Sequence, residues 1–214
     1  SHIGDSVRYL LAEFDGSGNL TNTNLNLNYF WLHGISDMVA KDSLLYFSGN
    51  FSLNYKGVFK SNFAVFNLIK DKIADFNLSI YPSNPTNALL SLSGDTLFFA
   101  ATFDSINGQY RKHIAALNTA NGNLYNWAPN PDAQVYVMAA KNGQLYLSGG
   151  FNYLKHITSG FCMLDLNNFT AKDFLRIRYY DHYVNDIECK GDTLFIAGRF
   201  QNVNDSTRYQ LAAV

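Results

Sequence analysis

The sequence predicts an all-β fold assembled from tandem repeats, and three observations predict it. One strand motif recurs four times, over residues 45–51, 97–103, 145–151 and 194–200, each copy running from leucine to phenylalanine. The copies lie about fifty residues apart, the length of one propeller blade and too long for a leucine-rich or tetratricopeptide repeat. The composition agrees, because Tyr, Phe and Val favour strands while the abundant Asn, Gly, Ser and Asp favour turns.

Each element of the repeat follows in order. The first strand is an apolar stretch such as Val135-Tyr136-Val137-Met138-Ala139-Ala140. A tight turn ends it, at Lys41-Asp42-Ser43, Ser93-Gly94-Asp95, Lys141-Asn142-Gly143 and Lys190-Gly191-Asp192, and the recurring leucine-to-phenylalanine motif is the second strand of a hairpin. About eleven residues later comes the third strand: Phe63-Ala64-Val65-Phe66-Asn67, Ile114-Ala115-Ala116-Leu117-Asn118 and Phe161-Cys162-Met163-Leu164-Asp165. Leu11-Ala12-Glu13-Phe14-Asp15 and Leu211-Ala212-Ala213-Val214 repeat it near the two ends. A fourth short strand closes each unit near Phe76, Trp127 or Phe174. Four antiparallel strands per repeat make a blade, so the expected fold is a β-propeller of four-stranded antiparallel blades.

Residues 1–214 form a single propeller region, with repeats at about 35–85, 86–132 and 133–182 and partial repeats at 1–34 and 183–214. Each unit alone would expose an apolar face on both sides, so stacking must bury it. Phe51, Phe103, Phe151, Phe200, Trp127 and Phe174 are the expected packing residues between blades. Both ends supply the same strand, since Asp5-Ser6-Val7-Arg8-Tyr9 matches Asp205-Ser206-Thr207-Arg208-Tyr209, and they compete for one slot. About four repeats are therefore expected to form an arc of a larger propeller, with further blades of the same longer protein as neighbours.

Composition excludes several classes of function. Net charge is −1 with acids and bases intermixed, so no electrostatic footprint for nucleic acid exists. Apolar runs such as Leu97-Phe98-Phe99-Ala100-Ala101 are far shorter than the ~20 residues of a transmembrane helix, and no signal peptide is visible. Cys162 and Cys189 align with Ala or Leu of other copies, which favours buried thiols over a disulfide.

Residues 103–118, with Gly122, Trp127, Pro129-Asn130-Pro131 and residues 145–151, resemble bacterial surface propeller repeats known as delta-sixty repeats. They are also similar to the propeller of the fungal cortical polarity-marker proteins. The resemblance spans nearly the whole chain, closest over about 87–134. Departures are Ala101 in place of the motif glycine, Thr158 where Arg8, Arg111 and Arg208 fill the basic position, and Trp127 alone in the tryptophan slot. The resemblance implies an extracellular or cell-surface protein with a binding or scaffolding role and no catalytic residues. The segment from Ala116 through Gly122 to Trp127 also looks like the tryptophan-docking motif of quinoprotein dehydrogenases, but without a vicinal cysteine pair no cofactor is expected.

No metal is expected either. Asp15-Gly16-Ser17-Gly18-Asn19 has Leu20 and Asn26 where an EF-hand needs glycine and glutamate, so it reads as a hairpin turn. His2, His33, His113, His156 and His182 show no ligand spacing.

The connections are more informative. Antiparallel strands send alternate loops to opposite sides, and the longer connections hold aromatic and basic residues, the composition of recognition surfaces. The expected binding-face residues are Tyr29, Trp31, His33, Tyr55, Tyr81, Tyr110, Tyr153, His156, Arg176, Arg178, Tyr180 and His182. The expected function is a non-enzymatic secreted or surface scaffold that holds a protein or glycan by this face. The alternatives are a carbohydrate-active hydrolase or lyase with a site there, or a structural arc whose edges pair with other chains.

Overall fold

A computed structural model describes residues 2–3, 6–7, 11–25, 34–76, 78–82, 88–154, 160–168, 170–172, 175, 177–178 and 183–214, with side chains undescribed at 2–3, 6–7, 178 and 183. The described residues are all-β and contain no helix. In chain order, β1 (His2–Ile3) and β2 (Ser6–Val7) make a two-stranded ribbon. The first sheet then forms from β3 (Ile35–Lys41), β4 (Leu44–Tyr55), β5 (Val58–Asn67) and β6 (Lys72–Ile73), in spatial order β3-β4-β5-β6. Next come β7 (Ile80–Tyr81), β8 (Leu89–Ser93), β9 (Thr96–Ala100), β10 (Ser105–Ile106), β11 (Gln109–Tyr110) and β12 (Ile114–Asn118). Of these, β8-β9-β12 form the second sheet, and β7-β10-β11 form a small separate one.

The third sheet comprises β13 (Val135–Lys141), β14 (Gln144–Gly149), β15 (Phe161–Asp165) and β16 (Thr170–Lys172). Finally come β17 (Ile177–Arg178), β18 (Tyr183–Lys190), β19 (Thr193–Arg199), β20 (Asn202–Val203), β21 (Ser206–Thr207) and β22 (Leu211–Ala213). Here β18-β19-β22 form the fourth sheet and β17-β20-β21 a second small one. Every pairing is antiparallel.

Local chemistry sets the hairpins. Lys41 pairs with Leu44 and Lys141 with Gln144, so each leading turn has two central residues. Such turns need positive φ, which Asn142 (52°) and Gly143 (73°) supply in the third sheet. The first, third and fourth sheets carry a bulge in their leading strand, between Ile35 and Asp37, Val135 and Val137, and Val184 and Asp186. Glycine accompanies it: a Cβ on Gly49 or Gly149 would lie 2.1 Å from the carbonyl oxygen of Gly34 or Gln134. The second sheet has Ala101 at that position, and its β8 and β9 pair without a bulge.

Side chains alternate across each strand, so every sheet offers one apolar face to its predecessor and one to its successor. In β9, Leu97 and Phe99 pack with Tyr46, Phe63 and Val65 of the first sheet. Phe98 and Ala100 instead pack with Leu145, Leu147, Cys162 and Leu164 of the third. Tyr146 and Met163 of the third sheet meet Ile187, Leu194 and Ile196 of the fourth. Residues 11–25 serve the first sheet in the same way, through Leu25 and Leu11 against Phe47 and Phe66. The leading strands follow in contact, β3 to β8, β8 to β13 and β13 to β18. Phe51, Phe103, Phe151, Phe200 and Trp127 are all buried, while Phe174 lies outside the described residues. Each such ring contributes about 1.5–3 kcal/mol on burial, so the interfaces between sheets carry much of the stability.

Polar bonds cross the same interfaces. The Tyr46 hydroxyl donates to the Thr119 carbonyl (2.7 Å), the Leu90 amide to Asp37 (2.7 Å), the Ala140 amide to Ser91 Oγ (2.9 Å), and Lys141 Nζ to the Cys189 carbonyl (2.6 Å). Lys41 pairs with Asp95. Cys162 and Cys189 form no disulfide and lie in different clusters, and burial raises the Cys189 pKa.

Candidate functional site

Among the described residues, the connections between second and third strands in the first, second and fourth sheets are hairpins in their own right. Each turns on two positive-φ residues: Lys56 and Gly57, Asn107 and Gly108, Asn204 and Asp205. Asn-Gly favours this turn because both residues tolerate φ > 0. In two cases the hairpin captures the incoming crossing from the preceding sheet. β7 pairs with β10, and β17 pairs with β20.

The first capture builds the most defined surface among the described residues. Tyr81 pairs with Ser105, and Ser105 pairs with Tyr110, so the three share one row and one side of the small sheet. The neighbouring row, Ile80, Ile106 and Gln109, points the other way. Ile106 is fully buried and Ile80 packs on the core beneath. Alternation therefore forces Tyr81 and Tyr110 outward, where they are 69 % and 62 % exposed. Two strand spacings put their stems about 9–10 Å apart.

The platform is anchored from below. Asp104 and Asn107 amides donate to the carbonyls of Tyr81 and Ser79 (both 2.8 Å), and Ser79 N donates to Asn107 Oδ1 (2.8 Å). Arg111 is buried, and its guanidinium donates to the carbonyls of Tyr110 (2.8 Å) and Tyr125 (3.3 Å) and to Gln109 Oε1 (3.3 Å). Arg208 donates to the preceding carbonyl in the same manner, to Thr207 (2.9 Å). Arg111 thus ties its hairpin to the Tyr125 segment, whereas the exposed Arg208 bonds back onto its own hairpin. His113 beside it is buried, and burial, with the Lys112 charge second, lowers its pKa.

One other junction repeats the register. Arg178, Asn202 and Thr207 occupy the row equivalent to Tyr81, Ser105 and Tyr110. At the third sheet, Asp132 Oδ1 accepts the amides of Asn152 and Tyr153 (both 2.9 Å), and Tyr153 is half exposed.

Tyr55 belongs to the frame of the first sheet. Its ring meets Phe66 edge-on at 5.3 Å and its hydroxyl donates to Asp71 (2.5 Å), which also pairs with Lys56. Tyr29, Trp31, His33, His156, Arg176, Tyr180 and His182 lie outside the described residues. Inspection of the sequence missed Ser105 and Gln109, the strand partners in the tyrosine platform, although Asn107-Gly108 is a hairpin signal. It also missed Phe59, 66 % exposed on β5.

Among the described residues no group of three or more His, Cys, Asp or Glu side chains could hold a metal ion. Asp15 closes its own turn by accepting the amides of Ser17 and Asn19 (both 2.9 Å), bonds that lower its pKa. No described helix is long and apolar enough to cross a membrane.

No family model and no curated protein matches the sequence. The structure is similar to the computationally designed Ika4 protein, with a TM-score of 0.50 and 9 % identity over 85 % of this chain and 90 % of that one. It is similar to the designed Ika8 protein at a TM-score of 0.51 and 8 % identity, over 79 % of this chain and 44 % of that one. BamB from Moraxella catarrhalis follows at 0.47 and 11 %, over 78 % of this chain and 42 % of that one. At such identities the likeness concerns the fold alone.

Proposed function

We infer that the chain is an arc of a β-propeller that acts as an extracellular or surface binding module, holding a protein or glycan on the side where crossings and hairpins meet. Sheet after sheet stacked in sequence order supports the propeller reading. The observation that carries the binding reading is the row Tyr81, Ser105, Tyr110: two exposed aromatic rings on a hydrogen-bonded sheet, held by a buried arginine. Rings fixed in this way bury area with little loss of side-chain entropy. Hydroxyls at their tips suit a ligand with apolar faces and polar rims, as saccharides and Tyr-rich or Pro-rich peptides have.

Probing glycan and peptide arrays with the labelled chain, then titrating the best ligand calorimetrically, tests this. Tyr81→Ala and Tyr110→Ala should each weaken binding about tenfold, since one stacked ring contributes about 0.5–1.5 kcal/mol beyond its buried area. Ile69→Ala, at an exposed turn between third and fourth strands, should leave it unchanged. A ligand whose affinity ignores both tyrosines, or no ligand on either array, overturns the proposal.

A further inference from the structure

The outward row that carries Tyr81 and Tyr110 has a counterpart on the first sheet. Asn54 pairs with Phe59 and Tyr55 with Val58, in the register that Ser105 and Ile106 take with Tyr110 and Gln109. The contacts match as well. Tyr55 packs on Phe66, and Ile106 shares a cluster with Leu117, the residue equivalent to Phe66. Lys56 Nζ donates to the Asp71 carbonyl (3.0 Å) where Asn107 Nδ2 donates to the Gly122 carbonyl (3.5 Å). Phe59 therefore occupies the first sheet's equivalent of Tyr110, turned outward by the same alternation and 66 % exposed.

The crossing between the two sheets joins the two rows. Lys60, beside Phe59, reaches the Phe76 carbonyl at the start of the crossing (3.5 Å), and Tyr81 ends it. The chain from Phe76 to Tyr81 spans at most about 18 Å, so Phe59 and the tyrosines belong to one stretch of surface. Spacing and chemistry select its occupant. Tyr81 and Tyr110 stand two strand spacings apart, about 9–10 Å. A polyproline II helix presents every third residue on one face, a repeat of about 9.3 Å. Its backbone makes no internal hydrogen bonds, which leaves its carbonyls for the hydroxyls of Tyr81, Ser105 and Tyr110. Phe59 offers a hydrocarbon face without a hydroxyl, a better match for a proline ring than for a hydroxylated sugar. The cations of the two hairpins are engaged within the molecule, Lys56 with Asp71, Lys60 with the Phe76 carbonyl, and Arg111 with the carbonyls of Tyr110 and Tyr125. That matches an uncharged chain and offers little to an anionic one.

We propose that this surface holds a proline-rich segment of a partner protein in the polyproline II conformation, with residues i and i+3 on Tyr81 and Tyr110 and the continuing helix on Phe59. The inference rests on the tyrosine row being a binding surface, and it adds Phe59 as a contact and an uncharged, extended peptide as the ligand. Aromatic-lined surfaces suit such helices because the ligand is ordered before it binds.

The test is fluorescence anisotropy with labelled oligoproline peptides of about 6 and about 18 residues, roughly 19 and 56 Å long at the polyproline II rise. Cellohexaose, titrated calorimetrically, and a Gly-Ser peptide of the longer length are the comparison ligands. The longer oligoproline should bind about tenfold more tightly than the shorter, the contribution of one further ring. Phe59→Ala should remove that gain and leave the shorter peptide's affinity unchanged, while Tyr81→Ala and Tyr110→Ala should each weaken both about tenfold. All three side chains are exposed, so the variants should keep the far-UV circular dichroism of wild type. Equal affinity for the two lengths, a Phe59→Ala protein that still prefers the longer one, or a Gly-Ser peptide that binds as well overturns the inference. Cellohexaose binding that is lost in the tyrosine variants, without oligoproline binding, overturns it while the tyrosine row stands as a binding surface. A protein that binds neither oligoproline nor cellohexaose overturns it outright, and the array experiment then decides the tyrosine row separately.

Discussion

Replacing Gly149 by alanine tests whether the bulge in the leading hairpin is what demands glycine in the repeated motif. A Cβ there would sit 2.1 Å from the Gln134 carbonyl oxygen and 2.9 Å from both Val135 Cα and Phe151 Cδ1. Relief needs a backbone movement of about 1 Å. That movement strains two adjacent bonds, Gly149 N to the Gly160 carbonyl (2.9 Å) and Gly150 N to the Gln134 carbonyl (3.0 Å). Overpacking costs about 1–3 kcal/mol and a weakened buried hydrogen bond about 1 kcal/mol, so the expected loss is about 2–4 kcal/mol. For a domain of this size that is a fall in Tm of roughly 5–15 °C, measurable by differential scanning calorimetry. Gly143→Ala is the control: it meets only Asn167 Nδ2 at 3.8 Å, but has φ 73°, so it should cost about 1–2 kcal/mol from handedness alone. A Gly149→Ala protein no less stable than Gly143→Ala would refute the reasoning.

Three other outcomes follow from the same structure. Tyr46→Phe removes the hydroxyl that satisfies the Thr119 carbonyl across the first interface, and urea denaturation should show a loss of about 1–2 kcal/mol; no loss would mean the bond contributes nothing net. Phe98→Ala opens a cavity beside Trp127, whose ring it meets edge-on at 5.6 Å, and should cost about 3–5 kcal/mol, against under about 1 kcal/mol for the half-exposed equivalent Phe195→Ala. Burial holds the folded-state pKa of His113 below its unfolded value, so the unfolded chain takes up the proton first as pH falls. Its contribution to stability is complete above the ordinary histidine pKa and is lost as pH drops below about 6.5 through the folded value. Denaturation midpoints at pH 7 and pH 5 should therefore differ less in His113→Gln, and an unchanged difference would contradict the assignment.

Much of the fold is legible in the sequence because its signals are strong and local. Strand alternation and two-residue turns such as Asn142-Gly143 need no tertiary information. The hairpins at Asn107-Gly108 and Asn204-Asp205 carry equally local signals, but their flanking strands are two residues long and too short for periodicity to mark them. What no sequence pattern contains is their partner. Tyr81 joins Tyr110 only because β7 crosses from the first sheet to pair with β10. Tyr55 shows the opposite failure, an aromatic on a loop-like stretch that lies in an extended strand and packs on Phe66.

The same crossings show how an exposed surface can be held by a buried row. In the row facing the core, Ile80 and Ile106 at one junction and Ile177 and Val203 at another pack on the core and hold each small sheet in place. The outward row of the first junction, Tyr81, Ser105 and Tyr110, is under no such demand, and the equivalent register positions at the second junction hold different residue types, Arg178, Asn202 and Thr207. Period-two alternation thus divides the first junction into an apolar anchor and an outer row, while Arg111 donates to the backbone carbonyls of Tyr110 and Tyr125. Under the proposed binding role, ligand choice would be altered at Tyr81 and Tyr110 with little cost to the frame, whereas Ile106 beneath them is fully buried.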